Sequence, residues 1–381
     1  MTGAASAVVG RFEVAQGWPL QGGKYFCRHK YFCRQEQAWR MRQAEGRSAM
    51  ATVQRQFNPE AKPMLHANTA QGAAPSPVWL WLDPTTRCNL ACRLCYTKES
   101  HGKLDLDPAD LEQALIKLKD SPALEVKTIH LNWRGEPLMN NRFHELLAVT
   151  RDIMPDVQLQ WHTNGTMLTR KRARQLLEVK HRHKIFVSID GGNALSHDLN
   201  RGEGTFLRTL RGLEILLEEA AGDEHVKVGV YQIDLGEPIE SYDPAFLRLL
   251  ERVDDHVKVT PLLPGGAHHD VASLSDLESD EKLHQRMMQD VNPKLPVPSG
   301  ACFWAGHVMC LAPDGKVSIC IISHGQHGVI GNLFEESAEQ VLERGLAFRD
   351  RMETQGRCSV GHCKTCRKPV GQVYAKHRLA A

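Results

Sequence analysis

The stretch that decides the fold is Val78-Trp-Leu-Trp-Leu82, followed after a short turn-like segment by Cys88-Asn-Leu-Ala-Cys92-Arg-Leu-Cys95. The apolar run predicts a buried strand. Three cysteines follow it, and thiolates select zinc or iron–sulfur clusters. A structural zinc site normally closes with four ligands, and the nearest histidine, His101, has no cysteine pair beside it. The spacing therefore favours a [4Fe-4S] cube in which one iron has no protein ligand.

This cysteine spacing after a first strand, with Leu94 before the last cysteine, resembles the radical S-adenosylmethionine (SAM) superfamily. The resemblance implies that Cys88, Cys92 and Cys95 bind a catalytic [4Fe-4S] cluster and that Leu94 lies against the cofactor. It also implies that the fourth iron binds SAM, and that the reduced cluster cleaves SAM to a 5′-deoxyadenosyl radical. Such an enzyme needs a reducing electron donor such as flavodoxin or ferredoxin.

Composition narrows the class of protein. The chain has 381 residues, 42% of them hydrophobic, a mean hydropathy of -0.37 and a formal charge of +2. No window approaches the roughly 18 apolar residues of a membrane span, and the small net charge gives no reason to expect nucleic acid. The start lacks a secretory signal pattern, and the eleven cysteines are grouped. Grouped cysteines predict metal or cluster ligands in a reducing compartment, and hence a cytoplasmic protein.

Along the chain, six strand-like runs alternate with helix-length amphipathic segments. The runs lie at 78–82, 126–133, 157–163, 184–190, 226–234 and 256–263. This alternation predicts an α/β fold with a parallel sheet, and six units match the partial (β/α)6 TIM-like barrel of the radical SAM family. The domain prediction is an N-terminal extension at 1–75 with little fixed order, the barrel at 76–265, a linker at 266–300, and a small cysteine-rich SPASM/twitch-like domain at 301–381.

Two motifs follow the second and third predicted strands. Gly135-Glu136-Pro137 resembles the Gly-Gly-Glu-Pro motif that binds the SAM amino group in the family, although Arg134 replaces the first glycine. A second Gly-Glu-Pro copy, at 236–238, indicates that the tripeptide alone is uninformative. Thr163 and Asn164 end the third run, where family members contact the ribose or carboxylate of SAM. Because ligands bind at the carboxyl ends of parallel strands, these residues are expected to meet at one site.

The fourth run ends in Ser188-Ile-Asp190-Gly191, with Arg201-Gly-Glu-Gly204 following. This pattern resembles a Ser-x-Asp-Gly…Arg-x-x-Gly motif of SPASM and twitch members. The resemblance implies that Ser188 and Arg201 help to hold SAM and that Asp190 faces the substrate. A capped helix start with a solvated arginine is the alternative.

The C-terminal cysteines form a second field. Cys302, Gly315 and Cys320, with a later Cys363-x2-Cys366 pair, resemble the SPASM/twitch hallmark. The resemblance implies one auxiliary [4Fe-4S] cluster on Cys302, Cys320, Cys363 and Cys366. Cys310 and Cys358 are possible additional ligands, and zinc is the alternative metal because four thiolates suit it equally well.

The sequence leaves three functions open. The first is a radical SAM oxidoreductase or epimerase that acts on a hydroxyl-bearing small molecule such as a sugar or aminocyclitol. The second is a maturase of a ribosomal peptide or protein, and the third is a non-catalytic iron–sulfur or zinc protein. The following polar side chains near predicted strand ends are candidate substrate contacts: Asp190, His197, Glu203, Tyr231, Gln232 and Asp234.

Overall fold

The computed structural model describes residues 75–93, 95, 97, 102–235, 237–259, 300–302, 304–321, 328–360 and 363. Its centre is a series of six parallel strands that pair in chain order. The six strands are β1 (Ser76–Leu82), β2 (Leu124–Leu131), β3 (Gln158–Thr163), β4 (His183–Asp190), β5 (Val226–Ile233) and β6 (Asp255–Val259). The predicted α/β architecture is confirmed, with each strand within a few residues of its apolar run.

The sheet continues beyond β1 with three short strands from the C-terminal part of the chain. These are β7 (Val308–Leu311), β8 (Lys316–Ser318) and β9 (Val329–Asn332). β7 pairs parallel with β1, and the next two pairs are antiparallel. The resulting order is β6-β5-β4-β3-β2-β1-β7-β8-β9. The hairpin between Cys310 and Cys320 therefore extends the same sheet that carries the first cysteine motif.

Seven helices lie between or after these strands in the described ranges: α1 (Pro108–Asp120), α2 (Phe143–Ile153), α3 (Arg170–Leu177), α4 (Ala194–Arg201), α5 (Thr205–Glu219), α6 (Pro244–Leu250) and α7 (Ala338–Gln355). A single irregular helical turn, Trp304–His307, precedes β7. Asp107 caps α1, accepting a 2.8 Å hydrogen bond from the Ala109 amide, and Pro108 is the first helical residue. Short polar side chains cap the helix starts because they satisfy amides that have no partner within the helix.

The strands present different chemistry on their two faces. One face carries aliphatic side chains that pack in the main core, such as Leu80 of β1 and Ile129 of β2, both fully buried. The opposite face carries polar and aromatic side chains, such as His130 and Tyr231. Side chains alternate between faces along a strand, so one sequence builds both a dry core and a polar barrel interior.

Most of the predicted N-terminal extension and of the linker at 266–300 lies outside the described residues. None of the helices within the described ranges combines the length and the apolar character that crossing a membrane requires.

Candidate active site

A cavity of about 300 Å³ lies at the carboxyl ends of β1 to β5. Loops that follow parallel strands meet at this edge, which is where α/β sheets and barrels bind ligands. The motifs predicted from the sequence meet here. The lining includes Cys88, Cys92, Cys95, Gly135, Glu136, Thr163, Asn164, Ser188 and Arg201, together with Trp81, His130, Asn132, Gln160, His162 and Tyr231.

The cysteine loop is held in place by hydrogen bonds from several elements. The Arg93 amide donates to the Asn200 carbonyl at 2.8 Å, and the Cys95 amide donates to the Cys92 carbonyl at 3.2 Å. Asn89 receives a hydrogen bond from Asn164 at 2.8 Å. Cys88, Cys92 and Cys95 are each partly buried. Leu94 lies outside the described residues, so its predicted contact with the cofactor stays a prediction.

The donor set fits an iron–sulfur cluster. Burial raises the pKa of Cys88 to about 12 and that of Cys92 to about 11, so without a metal these are neutral thiols. Metal binding deprotonates such thiols, because only the thiolate is a ligand. In the described part of the chain, no three His, Cys, Asp or Glu side chains converge as ligands of a single metal ion. Cys88, Cys92 and Cys95 line one cavity, as ligands to separate irons of one cube must.

Gly135 is fixed by the backbone around it. A Cβ at this position would lie 2.2 Å from the Thr85 carbonyl oxygen and 2.4 Å from that of Arg87. The next residue, Glu136, donates its amide to the Arg87 carbonyl at 2.9 Å. Only glycine allows two backbone segments to approach this closely, so the Gly-Glu-Pro segment packs directly against the residue that precedes Cys88.

The first glycine of the family motif is replaced by Arg134, and the structure gives this residue its own role. Its amide donates to Asp83 Oδ1 at 3.2 Å, and its Nε lies 2.5 Å from Asp83 Oδ2. Desolvation raises the pKa of the fully buried Asp83 to about 6, although Arg134 opposes the shift. The guanidinium also lies 4.7 Å from the centre of the Trp133 ring. Arg134 therefore ties the ends of β1 and β2 together.

Glu136 is buried and accepts several hydrogen bonds. Its carboxylate accepts hydrogen bonds from the Thr163 hydroxyl at 2.5 Å, the Asn164 amide at 2.7 Å and the Leu138 amide at 3.3 Å. Desolvation raises its pKa despite these donors. The segments after β2 and β3, which were predicted to contact different groups of SAM, are thus one hydrogen-bonded unit.

Asp190 corrects a sequence-based expectation. We expected it to face the substrate, but its side chain is fully buried and does not line the cavity. Its Oδ2 lies 2.6 Å from Arg201 Nε, its Oδ1 lies 2.9 Å from Arg201 Nη2, and Asn200 also donates to it. Among the described side chains around the site, Arg201 and Ser188 reach the cavity, whereas Asp190 orients Arg201.

Of the other candidate substrate contacts, one lines the cavity and four do not. Tyr231 lines the cavity, whereas Glu203 is exposed outside it. His197 is fully buried and accepts the Asp190 amide at 3.2 Å through Nδ1. Gln232 is also fully buried and donates to the Gly191 carbonyl at 2.5 Å, while Asp234 lies 3.2 Å from Lys258. His197, Gln232 and Asp234 therefore support the loops after β4 and β5.

Three residues at this edge were not identified from the sequence. Asn132 lines the cavity, and its buried Oδ1 has no hydrogen-bond partner among the described residues, so it offers an acceptor to a ligand. Asn200 binds the cysteine loop. Glu237, in the Gly-Glu-Pro copy dismissed above, accepts the Gly192 amide at 2.6 Å and the Asn193 side chain at 2.8 Å. The repeat of Gly-Glu-Pro in the sequence could have identified Glu237, because in both copies the glutamate accepts hydrogen bonds from the loop after a neighbouring strand.

The C-terminal cysteines lie on the other side of β1. Cys302 and Cys320 pack against a cluster that contains Trp81, Trp133 and Cys310. Cys302 also packs against the small apolar cluster that contains Cys363. Cys310 is fully buried on β7, which pairs with β1. Cys366 and the side chain of Cys358 lie outside the described residues, so the auxiliary ligand set stays a prediction.

The C-terminal segment around Cys320 contacts the barrel through Trp133. Its indole Nε1 donates to the Ile321 carbonyl at 2.6 Å, one residue after Cys320. Trp81 lies between the two regions, stacked on His130 at a centroid distance of 3.8 Å and tilted against Trp304 at 4.7 Å. The two cysteine regions are therefore separated by packed aromatic side chains.

Comparison with known proteins identifies two family models that match segments of this chain. Residues 82–237 match the model of the radical SAM superfamily, and residues 302–367 match the model of the SPASM iron–sulfur cluster-binding domain. These two segments carry the two cysteine fields. The first corresponds to the strands and loops around the cavity, and the second contains β7 to β9 and α7.

Among curated proteins, the chain is 28% identical over 317 residues to the mycofactocin maturase MftC of Mycolicibacterium smegmatis, a match that covers 77% of each chain. It is 27% identical over 209 residues to the serine-type anaerobic sulfatase-maturating enzyme of Klebsiella aerogenes, covering 52% of this chain and 50% of that one.

Among solved structures, anSMEcpe with bound AdoMet and Kp18Cys peptide has the same fold, with a TM-score of 0.51 and 15% identity over 80% of this chain and 97% of that one. The cysteine loop, the Gly-Glu-Pro segment and the SPASM match agree with one another. The chain therefore belongs to the radical SAM superfamily and carries a SPASM domain after its barrel.

Proposed function

We propose that this protein is a radical SAM maturase that modifies a peptide or protein substrate. The observation that carries the enzyme class is the cavity in which the three motif cysteines meet Glu136, Asn164 and Arg201. The substrate class is supported by the match to a maturase over 77% of both chains. The sequence alone favoured oxidation or epimerisation of a small molecule, and the similarity to a maturase favours a peptide or protein substrate instead.

In this proposal Cys88, Cys92 and Cys95 hold a [4Fe-4S] cluster, which together with SAM supplies a radical able to abstract hydrogen from an unactivated C–H bond. Glu136 is held by two backbone amides and one hydroxyl, so its carboxylate is oriented before any ligand binds. A fixed carboxylate at the cavity wall suits the ammonium group of SAM, and the Arg201 guanidinium suits its carboxylate.

The interior face of the strands supports the substrate side of the site. Gln160, His162 and Tyr231 present amide, imidazole and phenol groups to the cavity. His162 lies 5.0 Å from the rings of both Phe186 and Tyr231, so its plane is held by packing. The cavity of about 300 Å³ is at the lower end of the range for one small ligand. A peptide that inserts one side chain from the mouth needs less enclosed space than a complete second ligand.

The polar lining also supports the second candidate, oxidation or epimerisation of a hydroxyl-bearing small molecule. Deuterium transfer distinguishes the two. Reduced enzyme and SAM are incubated separately with deuterated forms of any short peptides that are encoded beside the gene and with deuterated aminocyclitols. Deuterium in 5′-deoxyadenosine from the peptide alone supports the maturase, and deuterium from the aminocyclitol alone refutes it.

The enzyme class is tested by replacing Cys88, Cys92 and Cys95 with Ala. The triple variant should release no 5′-deoxyadenosine from SAM with dithionite, flavodoxin or ferredoxin as reductant, and undiminished release would refute the assignment. An auxiliary cluster on the C-terminal cysteines should leave about four Fe per chain in this variant. Zinc in place of iron would assign the C-terminal field to a structural metal.

A further inference from the structure

The ion pair between Asp190 and Arg201 lies beside the cysteine loop, and the proposed reaction makes no use of the Asp190 charge. The two side chains form a bidentate contact, with Nε–Oδ2 and Nη2–Oδ1 distances of 2.6 and 2.9 Å. The arginine side chain is 13% exposed and the aspartate 0%. A bidentate pair with this burial holds the guanidinium in one orientation.

The guanidinium is held beside two of the cluster cysteines. Arg201 lines the same cavity as Cys92 and Cys95. Asp190 is fully buried behind the guanidinium and is not among the side chains that line this cavity. The two charges of the pair therefore oppose each other at the cysteine loop, and the arginine charge acts from the cavity itself.

The same helix end also fixes the position of the cysteine loop. The Asn200 carbonyl accepts the amide of Arg93, the residue between Cys92 and Leu94. The Asn200 side chain donates to Asp190. At the end of α4, Asn200 therefore links the buried Asp190 carboxylate to the backbone of the cysteine loop. The next residue, Arg201, places its positive charge beside the same loop.

We propose that the Asp190–Arg201 pair sets the reduction potential of the cluster held by Cys88, Cys92 and Cys95, with Arg201 raising the potential and Asp190 lowering it. Reduction adds one electron to the cluster and makes it more negative. A nearby positive charge stabilises the reduced form, and a negative charge destabilises it. The inference rests on the proposed function, since it requires the cluster, and it assigns Asp190 a positioning role in place of a substrate contact.

The test is a redox titration of anaerobically reconstituted protein without SAM, monitored by EPR. The signal to follow is the one that is absent from the Cys88/Cys92/Cys95 triple alanine variant. Arg201→Gln should lower the reduction potential of the cluster, and Asp190→Asn should raise it. The potential of Arg201→Lys should lie between those of Arg201→Gln and the parent. Arg170→Gln is the matched control, because Arg170 pairs with Glu218 and Glu219 on the protein surface and should leave the potential unchanged.

Opposite shifts support the proposal, because general loosening of the site would move both variants in the same direction. Unchanged potentials, or shifts of one sign in both variants, overturn it. If Arg201→Gln assembles no cluster, Asp190→Asn decides: a potential above the parent supports the proposal, and one at or below it does not. A parent protein without a SAM-responsive EPR signal would instead refute the proposed function.

Discussion

Replacing Gly135 by Ala tests whether the Gly-Glu-Pro segment must pack directly on the loop before Cys88. The new Cβ would lie 2.2 Å from the Thr85 carbonyl oxygen and 2.4 Å from that of Arg87. Normal contact distances require the two segments to separate by roughly 1 Å. Both obstacles are backbone atoms, so no side-chain rotation can relieve them.

The cost follows from these contacts. Overpacking of this kind destabilises by about 1–3 kcal/mol, and losing the 2.9 Å hydrogen bond from the Glu136 amide to the Arg87 carbonyl adds about 1 kcal/mol. We therefore expect a loss of about 2–4 kcal/mol in the free energy of unfolding, with a fall in melting temperature of about 5 °C or more. Iron bound to the first cysteine motif should fall as well, because the displaced residues lead directly into Cys88.

The assay is urea denaturation of the apoprotein followed by circular dichroism, with iron measured after anaerobic reconstitution. Gly345→Ala is the matched control. Its Cβ would meet the flexible end of Ile330 at 3.2 Å and the Gly306 Cα at 3.8 Å, an ordinary contact distance, and alanine favours a helix interior by about 1 kcal/mol. If Gly135→Ala unfolds at the same urea concentration as Gly345→Ala and binds as much iron, the close backbone approach does not matter and the reasoning is wrong.

Three further predictions address the supporting contacts. Lys117→Met removes hydrogen bonds to the carbonyls of Leu333, Phe334 and Glu336, at 2.7–3.1 Å, and should cost about 2 kcal/mol by urea denaturation; an equal loss in the exposed Lys119→Met control would contradict this. Glu237→Gln places an amide donor against either the Gly192 amide or the Asn193 side chain and should cost about 1–2 kcal/mol, whereas Glu240→Gln on the same turn should cost nothing measurable. Burial lowers the pKa of His197 to about 4, so the stability contributed by the neutral imidazole is present above about pH 6.5 and is lost as the pH falls towards 4. Urea midpoints at pH 7 and pH 5 should therefore differ less in His197→Gln than in the parent, and equal differences would count against this role.

The sequence by itself determined the order of elements and the position of the first cysteine motif. Alternating apolar runs and amphipathic segments fix a parallel α/β sheet, because each strand needs a covering helix before the next strand can pair. The carboxyl ends of those strands must then meet, so Cys88, Glu136, Asn164 and Arg201 can be assigned to one site from the sequence alone. These features depend on local pattern and on chain direction, both of which are written in the sequence.

Only the tertiary structure decided which side chains face the cavity and which side chains hold the cavity-lining ones in position. Asp190 and Arg201 lie in one motif, yet the carboxylate is buried and the guanidinium reaches the cavity, because helix α4 brings residue 201 back over the end of β4. The pairing of β7 with β1 joins residues more than 200 positions apart, and Glu237 clamps a loop 45 residues before it. Such contacts depend on packing and on the hydrogen-bonding needs of buried groups, which link distant residues and leave no local signal in the sequence.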